Sequence, residues 1–569
     1  MKKENIKIPL MVLMIVGITC FPYLQEGLCG YIPDLLYHLL RIEGVKESII
    51  LGEFPPRIYS NFFNGFGYGS PIFYPDIFLI FPAALRMFSV EPIAAYKIFA
   101  VAVCTFSTLT TYYSLKYITK DSNGSIIGTF LIMLSQFWLA DLHHRVGISE
   151  YIAFSFIPVL IAGIYDFFMY DGKRTWLMGA AFTGLLLSHT IMTFIGVLLT
   201  IIIFIRMLFK KKEENYLFDK NRMKNLILTA LCTVLITAYY TFPMLEQMAF
   251  FGDQLSYTEP WAHIGKYTQP FSSFFRIKGY FSTIAYVGIG IPVLGLIALC
   301  CFLKKPKNKW VWTFIGGGCA LFLASTSLVP WKLLENTILN MIQFTYRLWP
   351  YAIVFVVIGV VMILSENFNH CSEKQKIMAF TAIIGCTMLA GLFQNRMIAA
   401  STIESRGFDA QYLEEHNNYV GAGEWLPLGI VDAITDLEAE ILVVSDQGER
   451  KNLTTSGKYK IFYNDKEAEN YQVPLIYYKG YEAWLYEENG TDTQLEIQMS
   501  DNAQVLVINQ KDKQGEIYVH YAGTIIQKVS NIVSLISIIF VIGYLILNRK
   551  KNGQEEKTCK RKEKIKKLT

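Results

Sequence analysis

Charged residues are scarce in this sequence. They make up 17% of the 569 residues, whereas about 25% is usual in a soluble domain. Apolar residues make up 53%, which excludes an ordinary soluble protein and indicates a membrane protein. The net charge of +5 does not indicate nucleic-acid binding, because the basic residues cluster in short loops and in the C-terminal tail. The positive-inside rule expects basic residues there if those parts are cytoplasmic.

Cysteine is absent from the longest polar stretch, residues 395–524, and the sequence contains no C-x-x-C pair. These absences exclude a disulfide framework and a cysteine-based metal site. A phosphate-binding loop is also absent, because Gly65, Gly67 and Gly69 lack its spacing and its strand-to-helix context. The N-terminus has no small-residue cleavage site, so its apolar run is predicted to remain as an uncleaved first span.

Apolar segments long enough to cross a bilayer, which takes about 20 residues, recur along the chain. We predict a polytopic α-helical membrane protein with about twelve transmembrane helices. The predicted spans are 8–27, 92–118, 124–140, 151–170, 175–188, 190–208, 225–246, 283–303, 310–327, 347–365, 377–394 and 526–547.

Segment 72–89 is apolar but short and contains prolines, so we predict an interfacial or re-entrant element. This choice leaves the basic loops on the same side as the N-terminus, which the positive-inside rule favours. Both termini and loop 209–224 are then cytoplasmic, while the segments 28–91 and 141–150 are external.

The chain is predicted to divide into four parts. Residues 1–394 form a transmembrane catalytic module, in which 28–91 is an external loop with juxtamembrane helices. Residues 395–524 form an external β-rich domain, because AEILVVSD, GKYKIFYN, TQLEIQMS and AQVLVINQ alternate as strands do. Residues 525–547 form the last transmembrane helix, and 548–569 form a basic cytoplasmic tail.

A first group of ionisable residues follows the first span. Asp34 comes after Pro33, where a helix N-cap is the alternative interpretation. His38 and Arg41 follow at i+4 and i+7, so all three lie on one helical face. A carboxylate, an imidazole and a guanidinium on one stripe suit acid–base chemistry beside an anionic substrate. Arg57, held in an extended segment after two prolines, is a further candidate for the same cavity.

A second group, DLHHRVGISEY, lies at the end of a later span and contains Asp141, His143, Arg145 and Glu150. Metal binding by His143 and His144 is disfavoured, because adjacent helical residues point in different directions. A solvated cap is the alternative for Glu150, whereas Arg145 five residues earlier indicates a charge pair or a phosphate contact.

Two later residues complete the candidates. Arg347 in IQFTYRLWP begins a span from the outside, where it either extends its side chain to the interface or holds a lipid-linked phosphate. His189 lies at a polar break between two spans and suits a buried, hydrogen-bonded histidine better than a catalyst. We include both among the candidate substrate-binding residues, with Arg41, Arg57, Arg145 and His143.

The chain resembles the glycosyltransferase C superfamily and, more closely, the bacterial YfhO-like membrane proteins. Some chains of this type carry a 6-pyruvoyl-tetrahydropterin synthase-related label, but no pterin site is visible here. The pieces that carry the resemblance are DLLYHLLRIEGV, GEFPPRI, NGFGYGSPIFYPD, RVGISEY, QFTYRLWP, GAGEWLP and VPLIYYKGYEAW.

The resemblance implies a glycosyltransferase that uses a polyprenyl-phosphate-linked sugar as donor. The acceptor would be a cell-envelope glycan or a teichoic acid outside the membrane. Asp34 would be the catalytic base, Glu150 or Asp141 the second acidic residue, and Arg347 the ligand of the donor phosphate. His38, on the same helical stripe as Asp34, is a further catalytic candidate. The second loop lacks a D-x-D or E-x-D pattern, which argues against a bound divalent cation, and the resemblance implies no other cofactor.

Two other functions fit a chain of this kind. A transporter or flippase of lipid-linked glycans should show paired half-repeats and polar residues in mid-span, and neither is visible. A non-catalytic envelope scaffold would use 395–524 to bind a surface polymer and would not depend on the carboxylate of Asp34.

Overall fold

A computed structural model describes most of the chain. The described residues are 4–28, 32–209, 219–255, 263–271, 295, 306–399, 407–419, 423–430, 434, 442–464, 467–510 and 513–566. The α-helices within them are α1 (Glu4–Thr19), α2 (Ile32–Ile50), α3 (Ser70–Phe73), α4 (Ile80–Met87), α5 (Pro92–Thr119), α6 (Ser122–Met133), α7 (Gln136–Ala140), α8 (Ile148–Phe154), α9 (Ile157–Met169), α10 (Trp176–Leu186), α11 (Thr190–Leu208), α12 (Lys220–Phe251), α13 (Trp310–Ala324), α14 (Trp349–Phe368), α15 (Glu373–Ala399), α16 (Ala410–Glu415) and α17 (Ile525–Lys566).

Seven helical segments in the described part of the chain are long and apolar enough to cross a membrane. An eighth results if α6 and the bent segment after it, Gln136–Arg145, count as one span. The seven are Pro92–Thr119, Ile148–Met169, Thr190–Leu208, Lys220–Gln254, Thr345–Phe368, Glu373–Met397 and Ile525–Tyr544. The protein is therefore a polytopic helical membrane protein.

The prediction of about twelve spans is too high by this measure. Three predicted spans, 8–27, 175–188 and 310–327, contain the shorter apolar helices Ile6–Thr19, Trp176–Leu186 and Trp310–Ala324. At about 1.5 Å per residue these helices are shorter than the roughly 30 Å hydrocarbon core. A fourth predicted span, 283–303, lies outside the described residues except for residue 295.

Segment 72–89 is broken into short pieces, as its prolines predict. Helix α3 ends at Phe73, and a 3₁₀ turn over Ile77–Leu79 leads into α4. The apolar helical piece Ile77–Met87 is about 17 Å long, roughly half of a bilayer core. This length agrees with a segment that does not cross, while its interfacial position remains a prediction.

The loops that carry basic residues meet on one face of the helical bundle. Three hydrogen bonds join them: Lys7 Nζ to Asn123 Oδ1 at 3.0 Å, Ser365 Oγ to Asp121 Oδ2 at 2.6 Å, and the Lys307 backbone N–H to Glu366 Oε2 at 2.7 Å. Loop 170–175 and the start of α12 are joined in the same way, because Arg222 donates to the Tyr170 carbonyl at 3.1 Å. The structure thus gathers these loops, and their cytoplasmic location stays a prediction.

An antiparallel β domain precedes the last helix, as predicted. Its strands are β1 (Leu442–Ser445), β2 (Arg450–Asn452), β3 (Thr454–Ser456), β4 (Tyr459–Asn464), β5 (Asn470–Ile476), β6 (Tyr481–Glu487), β7 (Asp492–Met499), β8 (Gln504–Ile508) and β9 (Gly515–Tyr521). They form one sheet in the order β2-β1-β5-β8-β7-β6-β9-β4-β3. Because β2 near one edge also contacts β4 near the other, the sheet curves towards a barrel.

The β domain contacts the first loop directly. The Ile476 backbone N–H donates to the Phe66 carbonyl at 2.8 Å. The ring of Trp425, in the segment before the sheet, stacks on Phe73 with the ring centroids 5.1 Å apart. The Tyr478 hydroxyl donates to the Trp425 carbonyl at 3.0 Å. These contacts fix the β domain against loop 28–91, next to the ionisable residues identified in the sequence.

Candidate active site

Helix α2 places the first group of ionisable residues on one stripe. Asp34 lies in its first turn, and the spacing of His38 and Arg41 brings both to the same face. His38 Nδ1 and Arg41 Nη1 are 3.2 Å apart. Arg41 is fully buried, and its guanidinium stacks on the ring of Tyr74 at 4.0 Å. The stripe therefore runs from a buried arginine to a carboxylate at the start of the helix.

Arg41 is occupied by a partner that sequence reasoning missed. Its guanidinium forms a buried ion pair with Asp76, and Asp76 also accepts a hydrogen bond from the Tyr59 hydroxyl. Arg41 donates as well to the Pro75 carbonyl at 3.1 Å. Asp76 directly follows the P-x-x-Y-P sequence. This acidic residue after two prolines was the signal in the sequence that could have indicated a partner for Arg41. Arg41 thus holds residues 70–76 against α2.

Glu150 lies at the centre of the second group. Its carboxylate accepts hydrogen bonds from Arg145 and from Nε of Arg347, and its side chain is 4% exposed. His189 Nε2 lies 3.6 Å from Glu150 Oε1. Arg347 Nη1 also donates to the Gln343 side chain at 2.6 Å. Burial of a carboxylate is costly unless it is paired, and here two guanidinium groups contact the one carboxylate.

Arg145 links Glu150 to the two remaining acidic candidates. Its Nη1 lies 3.7 Å from Asp141 Oδ1, and its Nε lies 3.8 Å from Asp34 Oδ2. Asp141 is buried, and neither of its side-chain oxygens has a hydrogen-bond partner in the described part of the chain. Asp34 differs from both other acidic residues, because 37% of its side chain is exposed. Among the three carboxylates, Asp34 is therefore the one that a substrate can reach.

Local backbone geometry brings Arg145 and Glu150 together. Residues Asp141–Arg145 form a π-helical turn, a feature often found at functional sites. The chain then reverses at Val146, whose φ of 57° is left-handed. A Cβ at Gly147 would lie 2.9 Å from Asp141 Oδ1, so a larger residue there would displace that carboxylate.

The three histidines have different roles. His143 Nε2 lies 2.6 Å from the Thr19 carbonyl, and its ring meets Tyr23 edge-on, so these contacts are with the end of α1 and the turn after it. His189 Nδ1 accepts a hydrogen bond from the Met192 backbone N–H, which places the proton of the neutral ring on Nε2, towards Glu150. Burial lowers the pKa of His189 to about 3, and burial together with Arg41 lowers the pKa of His38 well below its usual range. Both rings are therefore neutral at physiological pH.

Burial also affects Asp34, although part of its side chain is exposed. The surrounding protein raises the pKa of Asp34, and Arg145 opposes this rise. A carboxyl group with a raised pKa is a stronger base than a free aspartate. The guanidinium of Arg145 favours the ionised form, which is the form that a general base needs.

Arg57 contacts other elements. Its Nη2 donates to the Tyr239 carbonyl of α12 at 2.7 Å and to Asn531 Oδ1 of α17 at 2.8 Å. It lines a small cavity, which is walled mainly by Pro55, Pro56, Pro71 and Pro75. Asp76 forms part of the same wall, so this cavity reaches the back of the Arg41 ion pair. No contact of Arg57 within the described residues is with Asp34, Glu150 or Arg347.

A resident metal does not fit this arrangement. Within the described residues, no group of three His, Cys, Asp or Glu side chains is placed to hold a metal ion. The guanidinium of Arg145 contacts Asp34, Asp141 and Glu150, so it occupies the position that a cation among these carboxylates would take. We therefore assign no step to a metal.

Comparison with known proteins gives structural similarity only. No family model matches the chain, and no curated protein matches it. The chain is structurally similar to the arabinofuranosyltransferase AftD from Mycobacteria, with 13% identity and a TM-score of 0.43 over 69% of this chain and 27% of that one. It is also similar to the Archaeoglobus fulgidus oligosaccharyltransferase, solved with zinc and sulfate and in the apo form.

The two oligosaccharyltransferase structures give 15% and 14% identity and TM-scores of 0.38 and 0.39, over 75% of this chain. This chain covers 54% and 57% of their length. It thus spans from about a quarter to somewhat over half of the solved chains that it matches. Similarity at this level does not identify a substrate or a catalytic residue.

Proposed function

We propose that this protein is a membrane glycosyltransferase that takes a sugar from a polyprenyl-phosphate carrier. The acceptor is a cell-envelope glycan or a teichoic acid at the external face. The observation that carries the proposal is one accessible carboxylate, Asp34, beside the partly exposed guanidinium of Arg145. Behind them, Glu150 and Arg347 form a buried ion pair. The sequence resemblance to YfhO-like proteins supports the same reaction.

In the proposed reaction the carboxylate of Asp34 acts on the acceptor, and the guanidinium groups act on the leaving phosphate. Asp34 takes the proton of an acceptor hydroxyl as its oxygen forms a bond to the anomeric carbon. The bond between that carbon and the phosphate oxygen breaks, and the phosphate leaves with the electron pair. A positioned carboxylate base contributes typically about 100- to 10,000-fold to the rate.

The leaving phosphate gains negative charge, so it requires nearby cations. Arg145 is the more accessible guanidinium, with 15% of its side chain exposed against 5% for Arg347. We therefore assign the first contact with the donor phosphate to Arg145. Arg347 lies behind it and holds Glu150, which keeps Arg145 in position and adds positive potential.

A reconstituted transfer assay tests the proposal. The full chain in lipid vesicles is supplied with polyprenyl-phosphate sugars and with envelope polymer from cells that lack this protein. Transfer by wild type and its loss in Asp34→Asn support the enzyme. A flippase would move the lipid-linked sugar across the vesicle membrane without transfer, and a scaffold would bind polymer equally well in both proteins. Either of those results in place of transfer would overturn the proposal.

A further inference from the structure

The outer face of the β domain carries aromatic side chains that its core does not use. Strands β6, β9 and β4 are neighbours in the sheet, and their side chains alternate between the core and the outside. Phe462, Leu485 and Val519 point inward and are almost fully buried. The outward positions form a surface that we call the aromatic face, which consists of Tyr459, Ile461, Tyr463, Glu482, Trp484, Tyr486, Glu516, Tyr518 and His520.

The rings of the aromatic face contact one another across the strands. The ring centroid of Tyr518 on β9 lies 6.0 Å from that of Tyr459 on β4 and 4.8 Å from that of Tyr486 on β6. Trp484 is the register partner of Tyr518. From Tyr459 to Tyr463 the strand rises about 14 Å, at roughly 3.4 Å per residue. The rings therefore form an extended surface that is longer than a single sugar ring.

The aromatic face is open to water. Tyr463 is 41% exposed and Tyr486 is 47% exposed. Within the described part of the chain, the rings of this face neither belong to the hydrophobic core nor pack against it. Cross-strand aromatic pairs stabilise a sheet by roughly 0.2–1 kcal/mol each. A cluster of exposed rings over three strands goes beyond this contribution and is typical of an interaction surface.

Carboxylates lie among the rings. Glu516 accepts a hydrogen bond from the Tyr518 hydroxyl at 2.9 Å. Asp492 on β7 is the register partner of Tyr486, so it extends the face by one strand. No lysine or arginine occupies an outward position of β4, β6 or β9. The face therefore offers negatively charged hydrogen-bond acceptors between aromatic rings.

Two lysines lie at one end of the aromatic face. Lys528 of α17 lies 3.8 Å from Glu482, and Nζ of Lys458 lies 5.5 Å from the ring centroid of Tyr459. Because α17 contains the last span, this end is the one nearest to that span. The acidic side chains of the preceding paragraph lie at the opposite end, where they would repel a phosphate-rich polymer.

The aromatic face also borders the first loop. Lys460 follows Tyr459 on β4, and its Nζ lies 3.3 Å from the position that a Cβ of Gly65 would take. Gly65 belongs to segment 28–91, which also contains Asp34. A chain bound on the aromatic face is thus held beside the segment that carries the proposed base.

We propose that the aromatic face binds an uncharged glycan chain of the cell envelope. Sugar C–H groups pack on aromatic rings, whose faces carry partial negative charge, and sugar hydroxyl groups donate to carboxylates. A bilayer fits this face less well, because the carboxylates among the rings would lose water without gaining a partner. The acidic side chains favour a neutral glycan over a teichoic acid. Only the role of this glycan as the acceptor rests on the proposed function, whereas its binding does not.

Binding to the full chain in lipid nanodiscs tests the proposal. The probes are two polymer fractions from cells that lack this protein, an uncharged polysaccharide and a phosphate-rich teichoic acid, separated by anion exchange. Tyr486→Leu should weaken binding of the uncharged fraction about ten-fold. Tyr486→Phe should keep it within about three-fold, because the phenyl ring still stacks. Tyr170→Leu is the matched control, since Tyr170 is also 47% exposed but lies in the loop that contacts the start of α12.

Three results would overturn the inference. The first is wild-type affinity for the uncharged polymer in Tyr486→Leu at a wild-type unfolding temperature. The second is a wild-type protein that binds only the teichoic acid fraction, or neither fraction. The third is a particle mass that falls by one chain in Tyr486→Leu, because a second copy would then cover the face. Tyr463→Leu, at the other exposed ring, has the same expected loss and replaces Tyr486→Leu if that variant unfolds.

The transfer assay separates this inference from the proposed function. Tyr486→Leu should raise KM for the polymer and leave kcat unchanged, because its ring is a binding contact away from the reacting atoms. Asp34→Asn should lower kcat instead. A wild-type protein that binds the uncharged polymer through Tyr486 but transfers no sugar would overturn the proposed function and leave the glycan-binding face in place.

Discussion

Arg347 and Glu150 lie 197 positions apart in the sequence, yet Nε of Arg347 donates a hydrogen bond to Oε1 of Glu150 inside the protein. Glu150 stands at the start of the span Ile148–Met169, and Arg347 at the start of Thr345–Phe368. The pair therefore joins the ends of two spans at the level of the candidate site. Because both side chains are 5% exposed or less, neither charge has water as an alternative partner.

Removal of the Glu150 charge should destabilise the protein. Glu150→Gln takes from buried Arg347 the carboxylate that it contacts, and it leaves Arg145 with the longer contacts to Asp34 and Asp141. Breaking one partner of a buried ion pair typically costs about 3–5 kcal/mol. We expect a clear fall in the unfolding temperature of the purified protein, measured by the fluorescence of a thiol-reactive dye or of tryptophan.

A double-mutant cycle provides the control for this prediction. Arg347→Gln alone should also destabilise, while Glu150→Gln with Arg347→Gln should cost less than the sum, because the double variant leaves fewer unpaired charges. Strictly additive losses would show that the two side chains do not stabilise each other.

Substitution of Asp34 should lower activity and leave stability intact, in contrast to substitution of Glu150. Asp34→Asn keeps the shape of the side chain and removes the base, so transfer should fall by about 100-fold or more. Its stability should not fall at neutral pH. Burial raises the pKa of Asp34, so ionisation in the folded state costs stability once the pH rises above that pKa, and the asparagine avoids this cost. The measurements are the transfer rate and the unfolding temperature.

Glu47→Gln is the matched control, since it lies on the same helix α2. It should keep both the rate and the stability of the wild type. An Asp34→Asn protein that transferred sugar at the wild-type rate would remove Asp34 from the mechanism.

The pH profile of transfer follows from the raised pKa of Asp34. A general base must be unprotonated, so the rate should fall as the pH drops through the pKa of Asp34. This acidic limb should lie above about 3.9, the value for a free aspartate, because burial raises the pKa of Asp34. Neither His189, with a pKa near 3, nor His38 should add a further limb between about pH 6.5 and 8, because both rings remain neutral there. A limb near pH 6.5 that disappears in His38→Gln would contradict this assignment.

The sequence was sufficient for the architecture and for part of the site. Hydropathy and strand alternation predicted helices and then a β domain, because both patterns are local. The spacing of Asp34, His38 and Arg41 predicted their common face for the same reason. The length of α1 was less predictable, since apolar residues continue beyond its end at Thr19.

The partners of the charged residues were not predictable from the sequence. Arg41 is paired with Asp76, and Arg347 with Glu150, through contacts between distant segments. A local pattern shows that an arginine needs a partner, but it does not show which one the packing supplies.

A variant of Arg57 distinguishes two roles for this residue, a structural link between helices and a ligand of the donor phosphate. Its hydrogen bonds to Tyr239 and Asn531 join α12 and α17, whereas the sequence analysis named it as a candidate substrate-binding residue. Arg57→Gln should lower the unfolding temperature, because the shorter amide cannot bridge both helices. Binding of undecaprenyl phosphate at a temperature where the variant is folded decides the second role. An affinity within about two-fold of the wild type would leave Arg57 as a structural link, and a larger loss would place the donor phosphate in its cavity.

The orientation of the chain can be tested on described, exposed positions. Contacts between Lys7 and Asn123 and between Asp121 and Ser365 gather the basic loops on one face, and the positive-inside rule assigns this face to the cytoplasm. A cysteine at Ser372, in the exposed turn between α14 and α15, should react with a membrane-impermeant maleimide only after the cells are permeabilised. A cysteine at Ser456 in β3 should react in intact cells, since the β domain is predicted to be external. The chain without an added cysteine is the control for its native thiols. Labelling of Ser372→Cys in intact cells would reverse the orientation and place the candidate site on the cytoplasmic side, where an external acceptor has no access to it.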